Sequence, residues 1–141
     1  MGGGPGGAAP ARRRRVLVVE DDPATRAVVV EALNDEPDLF AEGVDGGAAA
    51  LVRLADRSDI DLVLCDLSMS DVDGFELAAR LKENPATARL PVVAMTALDA
   101  SAVEAGLGLA GYAAVVAKPF DLTDLATLVR GLLPMAHADL D

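Results

Sequence analysis

The 141-residue chain is acidic and apolar, with a net charge of −11, 52% hydrophobic residues and only 3% aromatic residues. This length fits one domain whose core is built from Val, Leu and Ala. The charge argues against nucleic-acid or anionic-membrane binding through the whole surface, and fits a cation, a basic partner or a plain solubilising surface. The single cysteine, Cys65, cannot form an internal disulfide, which predicts a reducing, cytoplasmic location.

Two tails are predicted around one folded region over residues 14–133. Residues 1–13 are rich in Gly, Pro and Arg and indicate a flexible segment. The run Arg12–Arg15 could contact nucleic acid or an acidic partner, but we favour a solvated lead-in to the first strand, because four charges bind nucleic acid weakly. Residues 134–141 form the second tail and contain the only histidine, His137. The longest charge-free stretch, 105–117, is too short to span a bilayer.

Apolar runs and helical spacings alternate five times along the folded region. Strands are predicted at 16–19, 38–44, 60–65, 90–95 and 112–117, and helices at about 23–34, 48–57, 74–82, 100–109 and 122–132. Asp22 is a suitable N-cap for the first helix, with Pro23 at its first position. Near-continuous Val/Leu strands separated by helices predict an α/β fold with a parallel sheet covered on both faces.

Polar side chains stand at the ends of the predicted strands. Glu20 and Asp21 follow the first strand, Asp66 the third, Thr96 the fourth and Lys118 the fifth. Right-handed crossovers bring these ends to one edge of the sheet. Three carboxylates in one cleft repel each other by about 4 kcal/mol per pair at ~4 Å and an effective dielectric near 20. Mg²⁺ relieves that repulsion, and the added hydroxyl and ammonium suit attack on a phosphoryl group.

Each of these positions also has a plainer interpretation. The acidic run from Glu20 can serve only as a favourable helix N-terminus. Asp66 can open a turn, Thr96 can cap the following helix, and Lys118 can be an ordinary strand-exit residue. It is their occurrence together at successive strand ends that favours a phosphoryl-transfer site.

Four stretches carry a resemblance to a known family: VLVVEDDPATR (16–26), DLVLCDLSMSDVDGFEL (61–77), PVVAMTAL (91–98) and AKPF (117–120). In order and spacing they resemble the receiver domain of two-component response regulators, the CheY-like superfamily, over roughly residues 14–133. The resemblance implies a flavodoxin-like (βα)5 fold, doubly wound, with a five-stranded parallel sheet in the order 2-1-3-4-5.

The resemblance also implies a role for each acidic residue. Asp66 would be the phosphoacceptor, taking a phosphoryl group from a histidine of a sensor kinase or of a phosphotransfer protein. Asp21 would bind Mg²⁺ directly and Glu20 mainly through bound water, while Asp66 and the backbone carbonyl of Ser68 complete the metal ligands.

Two further residues would contact the phosphoryl group. Lys118 would pair with one phosphoryl oxygen, Thr96 would donate its hydroxyl to another, and the Lys118–Pro119 bond would be cis. Phosphorylation would shift the face made by the fourth helix, the fifth strand and the fifth helix, and so control a downstream protein partner or a homodimer. The protein is therefore expected to be a signalling switch that binds neither nucleic acid nor membrane directly. It is expected to catalyse no turnover beyond its own phosphorylation and dephosphorylation.

The sequence departs from the family pattern at two positions and leaves two alternatives open. Ser70 replaces the usual proline, and Val115 replaces an aromatic residue, with Tyr112 three positions away. These departures keep open a receiver-like interaction module that works without phosphorylation. A Mg²⁺-dependent aspartyl-phosphate phosphohydrolase is suggested by DVDG (71–74), although that motif should directly follow a strand.

Overall fold

A computed structural model describes residues 13–56, 59–67, 74–97 and 112–133. Five strands and four helices lie within these ranges. In chain order they are β1 (Arg14–Val19), α1 (Pro23–Asn34), β2 (Leu39–Val44), α2 (Gly47–Asp56), β3 (Leu62–Asp66), α3 (Gly74–Glu83), β4 (Val92–Thr96), β5 (Ala114–Ala117) and the final helix (Leu122–Leu132). The helix predicted over 100–109 falls outside the described residues.

The five strands form one parallel sheet in the order β2-β1-β3-β4-β5, which confirms the predicted α/β fold and strand order. Strand β1 lies between β2 and β3 and pairs with both of them. Because every strand runs in the same direction, the carboxyl ends of all five strands lie at one edge of the sheet. Residues that follow each strand are therefore brought to that edge.

Helices cover both faces of the sheet, and alternate strand residues point to opposite sides. In β1, Leu17 and Val19 belong to the core under α2 and α3, whereas Val16 and Val18 belong to the core under α1 and the final helix. All four are fully buried. Burying one Val or Leu side chain contributes about 1.5–3 kcal/mol, so these two apolar layers hold the strand ends in place.

The first strand begins earlier than its apolar residues suggest. Arg14 and Arg15 pair with Leu39 and Phe40 of β2, so they are strand residues and the expectation that they end a solvated lead-in is wrong for these two. The guanidinium carbon of Arg15 lies 4.6 Å from the Phe40 ring centroid, and its backbone N–H donates to Asp61. Both contacts of Arg15 are with residues distant in the sequence. The local pattern of apolar residues therefore did not indicate that the strand includes Arg14 and Arg15.

Helix α1 begins as the sequence predicts. The Asp22 side chain accepts a hydrogen bond from the backbone N–H of Thr25 at 2.9 Å, and Pro23 occupies the first helical position. Only Glu20, Asp21 and Asp22 separate the end of β1 from this helix. Within the described residues no helix is long and apolar enough to cross a membrane. Cys65 is buried in β3, and the cytoplasmic location inferred from it stays a prediction.

Candidate functional site

The ammonium group of Lys118 joins carboxylates from two other strand ends. Lys118 follows β5, and its Nζ lies 2.9 Å from Oε1 of Glu20 and 3.3 Å from Oδ2 of Asp66. Glu20 directly follows β1 and is 1% exposed, while Asp66 is the last residue of β3 and is 5% exposed. Three segments that are far apart in the sequence therefore meet at the carboxyl edge, as predicted.

A third carboxylate completes an acidic cluster, which we define as Glu20, Asp21 and Asp66. One carboxylate oxygen from each residue lies within 4.8 Å of the others. Asp21 is exposed, whereas the other two side chains are buried, so the cluster opens to solvent on the Asp21 side. At 4.8 Å and an effective dielectric near 20, each pair of charged carboxylates repels by about 3.5 kcal/mol. Hard, closely spaced oxygen donors of this kind fit a divalent cation such as Mg²⁺.

The pKa values of Glu20 and Lys118 reflect different forces. Burial raises the pKa of the Glu20 carboxyl group, and the hydrogen bond from Lys118 opposes that shift without cancelling it. Burial lowers the pKa of the Lys118 ammonium group, but its interactions with Glu20 and Asp66 outweigh burial, so the net pKa is raised. Lys118 therefore stays protonated at neutral pH, while the charge of Glu20 is costly. A bound cation would reduce that cost.

Thr96 lies beside this cluster at the end of β4. Its side chain is fully buried, and its backbone carbonyl accepts a hydrogen bond from the Lys118 N–H at 2.7 Å. The Lys118–Pro119 peptide bond is cis, as the resemblance implies. The strand ends of β4 and β5 are thus joined directly at the two residues predicted to contact a phosphoryl group.

Not every predicted site residue can be placed. Ser68 and Ser70 lie outside the described residues, so the carbonyl ligand expected from Ser68 stays a prediction. Tyr112 is 8% exposed within the core under α2 and α3, and Val115 packs against that core. Tyr112 is therefore part of the packed interior at the amino end of β5.

Among the described residues, sequence reasoning missed Arg26 of α1, which contacts the site. Its Nη1 donates to the backbone carbonyl oxygen of Glu20 at 2.9 Å. Arg26 is the only basic residue in α1 and stands four residues after the helix cap Asp22. One helical turn separates these positions, so the Arg26 side chain lies on the same side of α1 as the cap, next to the end of β1. A single basic residue at this spacing from the cap was the signal that the sequence offered.

Comparison with known proteins supports the resemblance over most of the chain. Residues 16–130 match the family model described as the response regulator receiver domain. The phosphate regulon transcriptional regulatory protein PhoB of Rhizobium meliloti is 35% identical over 109 residues, which cover 73% of this chain and 47% of that protein. Response regulator PleD of Caulobacter vibrioides is 35% identical over 89 residues, covering 63% of this chain and 19% of that protein. The chain thus spans less than half the length of these two relatives.

Solved structures match over nearly the whole of their own length. A putative response regulator from Chloroflexus aurantiacus is 30% identical with a TM-score of 0.75, covering 85% of this chain and 97% of that chain. Chemotaxis protein CheY4 of Vibrio cholerae is 21% identical with a TM-score of 0.79, covering 86% and 99%, which shows the shared fold. With the family match and the fold in agreement, the chain belongs to the response regulator receiver domain family, the signalling domain of two-component systems.

Proposed function

We propose that this chain is a phosphoacceptor switch of a two-component phosphorelay, with Asp66 as the phosphorylated residue. The observation that carries the proposal is the Asp66 carboxylate, which ends β3 within 4.8 Å of two other carboxylates and 3.3 Å from the Lys118 ammonium. A nucleophile, a set of metal-ligating oxygens and a cation for a phosphoryl oxygen thus stand together. This combination suits phosphoryl transfer.

The proposed reaction moves one phosphoryl group from nitrogen to oxygen. An Oδ atom of Asp66 attacks the phosphorus of a phosphohistidine on a sensor kinase or phosphotransfer protein. The P–O bond forms as the P–N bond breaks, and the electron pair of the P–N bond stays on the imidazole nitrogen, which takes a proton from water. Lys118 pairs with one phosphoryl oxygen, and the Thr96 hydroxyl donates to another. Both interactions stabilise the charge on the transferred group.

The acidic cluster would hold the metal that this reaction needs. Asp21 and Asp66 would bind Mg²⁺ directly, Glu20 would act mainly through bound water, and the Ser68 carbonyl would add a further ligand. When bound, the metal would neutralise charge on the phosphoryl oxygens and on the carboxylates. Glu20 also accepts from Lys118, so the same buried carboxylate orients the ammonium group toward Asp66.

Phosphorylation would alter the output through added charge. An aspartyl phosphate carries about −1.5 to −2 charges where the carboxylate carried −1, and it brings new acceptor oxygens to the edge formed by β3, β4 and β5. Lys118 and Thr96 are already joined through their backbones, so movement of either residue toward the phosphoryl group reaches β5. We propose that this remodels the face formed by the helix predicted at 100–109, β5 and the final helix. A downstream partner, or a second copy of the chain, would bind that face in one state.

An apolar groove next to the site supports a protein as the phosphodonor. The groove encloses about 580 Å³ between α1 and the segment after β5, and Lys118 lies on its wall. Val28 lines it and is 51% exposed, and Phe120 lies on the opposite wall. A helix bearing a phosphohistidine beside apolar side chains could bury this surface while presenting its phosphorus to Asp66.

Intact mass spectrometry after incubation with acetyl phosphate and Mg²⁺ tests the proposal. We expect one phosphoryl group per chain, stable in acid and lost in base, and no adduct in Asp66→Asn. The matched control is Asp35→Asn, which alters an exposed acidic residue at the end of α1 and should be labelled like the wild type. Wild-type protein that takes up no phosphoryl group would refute the switch and leave the phosphorylation-independent interaction module. Sustained phosphate release with many turnovers would instead favour the phosphohydrolase.

A further inference from the structure

The Arg26 side chain connects α1, β2 and the residue that follows β1. Its Nη1 donates to the Glu20 carbonyl oxygen at 2.9 Å, and its aliphatic stem lies across Gly43 of β2. The Arg26 backbone N–H donates to the Asp22 carbonyl, so the same residue also belongs to the first hydrogen-bonded turn of α1. Arg26 is therefore held at both its backbone and its guanidinium group.

Gly43 leaves the space that the Arg26 stem occupies. A Cβ atom at position 43 would lie 2.9 Å from Cγ and 3.0 Å from Cδ of Arg26, and 3.2 Å from Cγ2 of Val30. The first distance is shorter than Cβ atoms show in proteins and the other two are tighter than ordinary contacts, so a side chain at this position would require the Arg26 stem to shift. A glycine in the middle of a strand weakens the strand, and it often marks a close approach by another group. Here the approaching group is the Arg26 stem.

The main chain of Glu20 is thereby held from both sides. Its N–H donates to the Val44 carbonyl of β2 at 3.1 Å, and its carbonyl accepts from Arg26. The Asp22 N–H also donates to Oε2 of Glu20 at 3.2 Å. These three bonds determine where the chain leaves β1, and with it the positions of two of the three carboxylates in the acidic cluster.

We propose that Arg26, lying across Gly43, is a positioning residue that holds Glu20 and Asp21 at the spacing a divalent cation requires. The inference rests on the proposed metal-dependent function but concerns metal affinity and not the phosphoryl acceptor. Arg26 touches neither the metal nor the phosphoryl group and acts through the Glu20 carbonyl. Groups that orient metal ligands in this way typically change metal affinity 10- to 100-fold when removed.

Calorimetric titration with MgCl₂ tests the inference, with the unfolding midpoint in chelator measured alongside. Arg26→Met keeps an aliphatic stem and removes the donor, and we expect it to raise the Mg²⁺ dissociation constant about 10-fold, the low end for a group acting through the main chain. Gly43→Ala should weaken Mg²⁺ binding in the same direction by displacing the stem. Arg80→Met is the matched control, because Arg80 pairs only with Glu76 among the described contacts and is half exposed. Its Mg²⁺ affinity should stay within about twofold of the wild type.

The double variant Arg26→Met/Gly43→Ala separates positioning from general destabilisation. Because both changes break one contact, their effects on Mg²⁺ affinity should be less than additive. Arg26→Lys should recover part of the affinity, and it serves as the test variant if Arg26→Met does not fold. Wild-type Mg²⁺ affinity in a folded Arg26→Met variant, or fully additive losses in the double variant, would overturn the inference.

A different measurement, the formation of the Asp66 adduct, tests the proposed function. If the wild-type chain binds Mg²⁺ but gives no Asp66 adduct, the phosphoacceptor role is lost while the role of Arg26 stands or falls on the titration. If the inference is right, Arg26→Met labelled at saturating Mg²⁺ should reach the wild-type extent of phosphorylation, since only metal affinity is altered.

Discussion

Replacing Lys118 with methionine should destabilise the metal-free protein and make its stability depend on Mg²⁺. Lys118 lies 2.9 Å from Glu20 and 3.3 Å from Asp66, so at an effective dielectric near 20 the two attractions are about 6 and 5 kcal/mol. Desolvation of the three groups offsets most of this, and removing one partner of a buried ion pair costs about 3–5 kcal/mol. The Lys118 side chain is 26% exposed, so we expect the low end, a loss of about 3 kcal/mol.

Urea denaturation followed by far-ultraviolet circular dichroism measures this loss. In buffer with chelator, Lys118→Met should have a free energy of unfolding about 3 kcal/mol below that of the wild type. Arg80→Met, which breaks a pair between half-exposed side chains, should lose no more than about 1 kcal/mol. Millimolar Mg²⁺ should then stabilise Lys118→Met more than the wild type, because a cation that binds the folded cluster replaces the missing positive charge.

Two results would refute the reasoning behind this prediction. If Lys118→Met is as stable as Arg80→Met in chelator, the buried carboxylates do not depend on Lys118 for compensation. If Mg²⁺ stabilises the wild type and Lys118→Met equally, the ammonium group and the metal do not act on the same carboxylates.

Three further predictions concern the helix cap, a partly buried ion pair and the groove. Asp22→Ala should lower the urea midpoint of unfolding, because the Thr25 N–H loses its acceptor; an unchanged midpoint would contradict the capping role. Hydrogen bonds from Arg53 lower the pKa of Glu42 below its usual 4.5, so Glu42 stabilises the fold above about pH 4.5 and loses that effect as pH falls through the lowered pKa. The stability difference between wild type and Glu42→Gln should therefore shrink by pH 3, and a constant difference from pH 7 to pH 3 would be inconsistent with this pair. Val28→Asp should be labelled normally by acetyl phosphate but should lose transfer from a histidine kinase that phosphorylates the wild type; equal transfer rates would exclude the groove as the docking surface.

The site residues closest to the strand ends were predictable because their positions follow from local patterns. An apolar run that breaks at an acidic or basic residue marks a strand end, and a parallel sheet brings such ends together. Glu20, Asp66 and Lys118 were identified in this way and lie in contact. Arg26 was missed because its role depends on contacts with the Glu20 carbonyl group and with Gly43 of β2, and only the packing of α1 against β2 brings these groups together.

Strand boundaries show the same limit. The apolar residues of β1 begin at Val16, but backbone pairing with β2 starts at Arg14, because the ladder continues through residues whose side chains are polar. Asp66 and Thr96 likewise belong to β3 and β4 by pairing, one residue beyond the apolar runs predicted as strands.

By itself the sequence determined the alternation of strands and helices, the cap of α1 and the polar residues at the strand ends, since each depends on neighbours a few positions apart. Only the tertiary structure decided which of those residues touch. The Nζ atom of Lys118 lies 2.9 Å from a carboxylate oxygen of Glu20, which is 98 positions earlier in the chain. It lies 3.3 Å from a carboxylate oxygen of Asp66, which is 52 positions earlier. These two distances depend on the register of the parallel strands. The contact between Arg26 and Gly43 depends instead on the packing of α1 against β2, where the Arg26 stem fills the space that the glycine leaves.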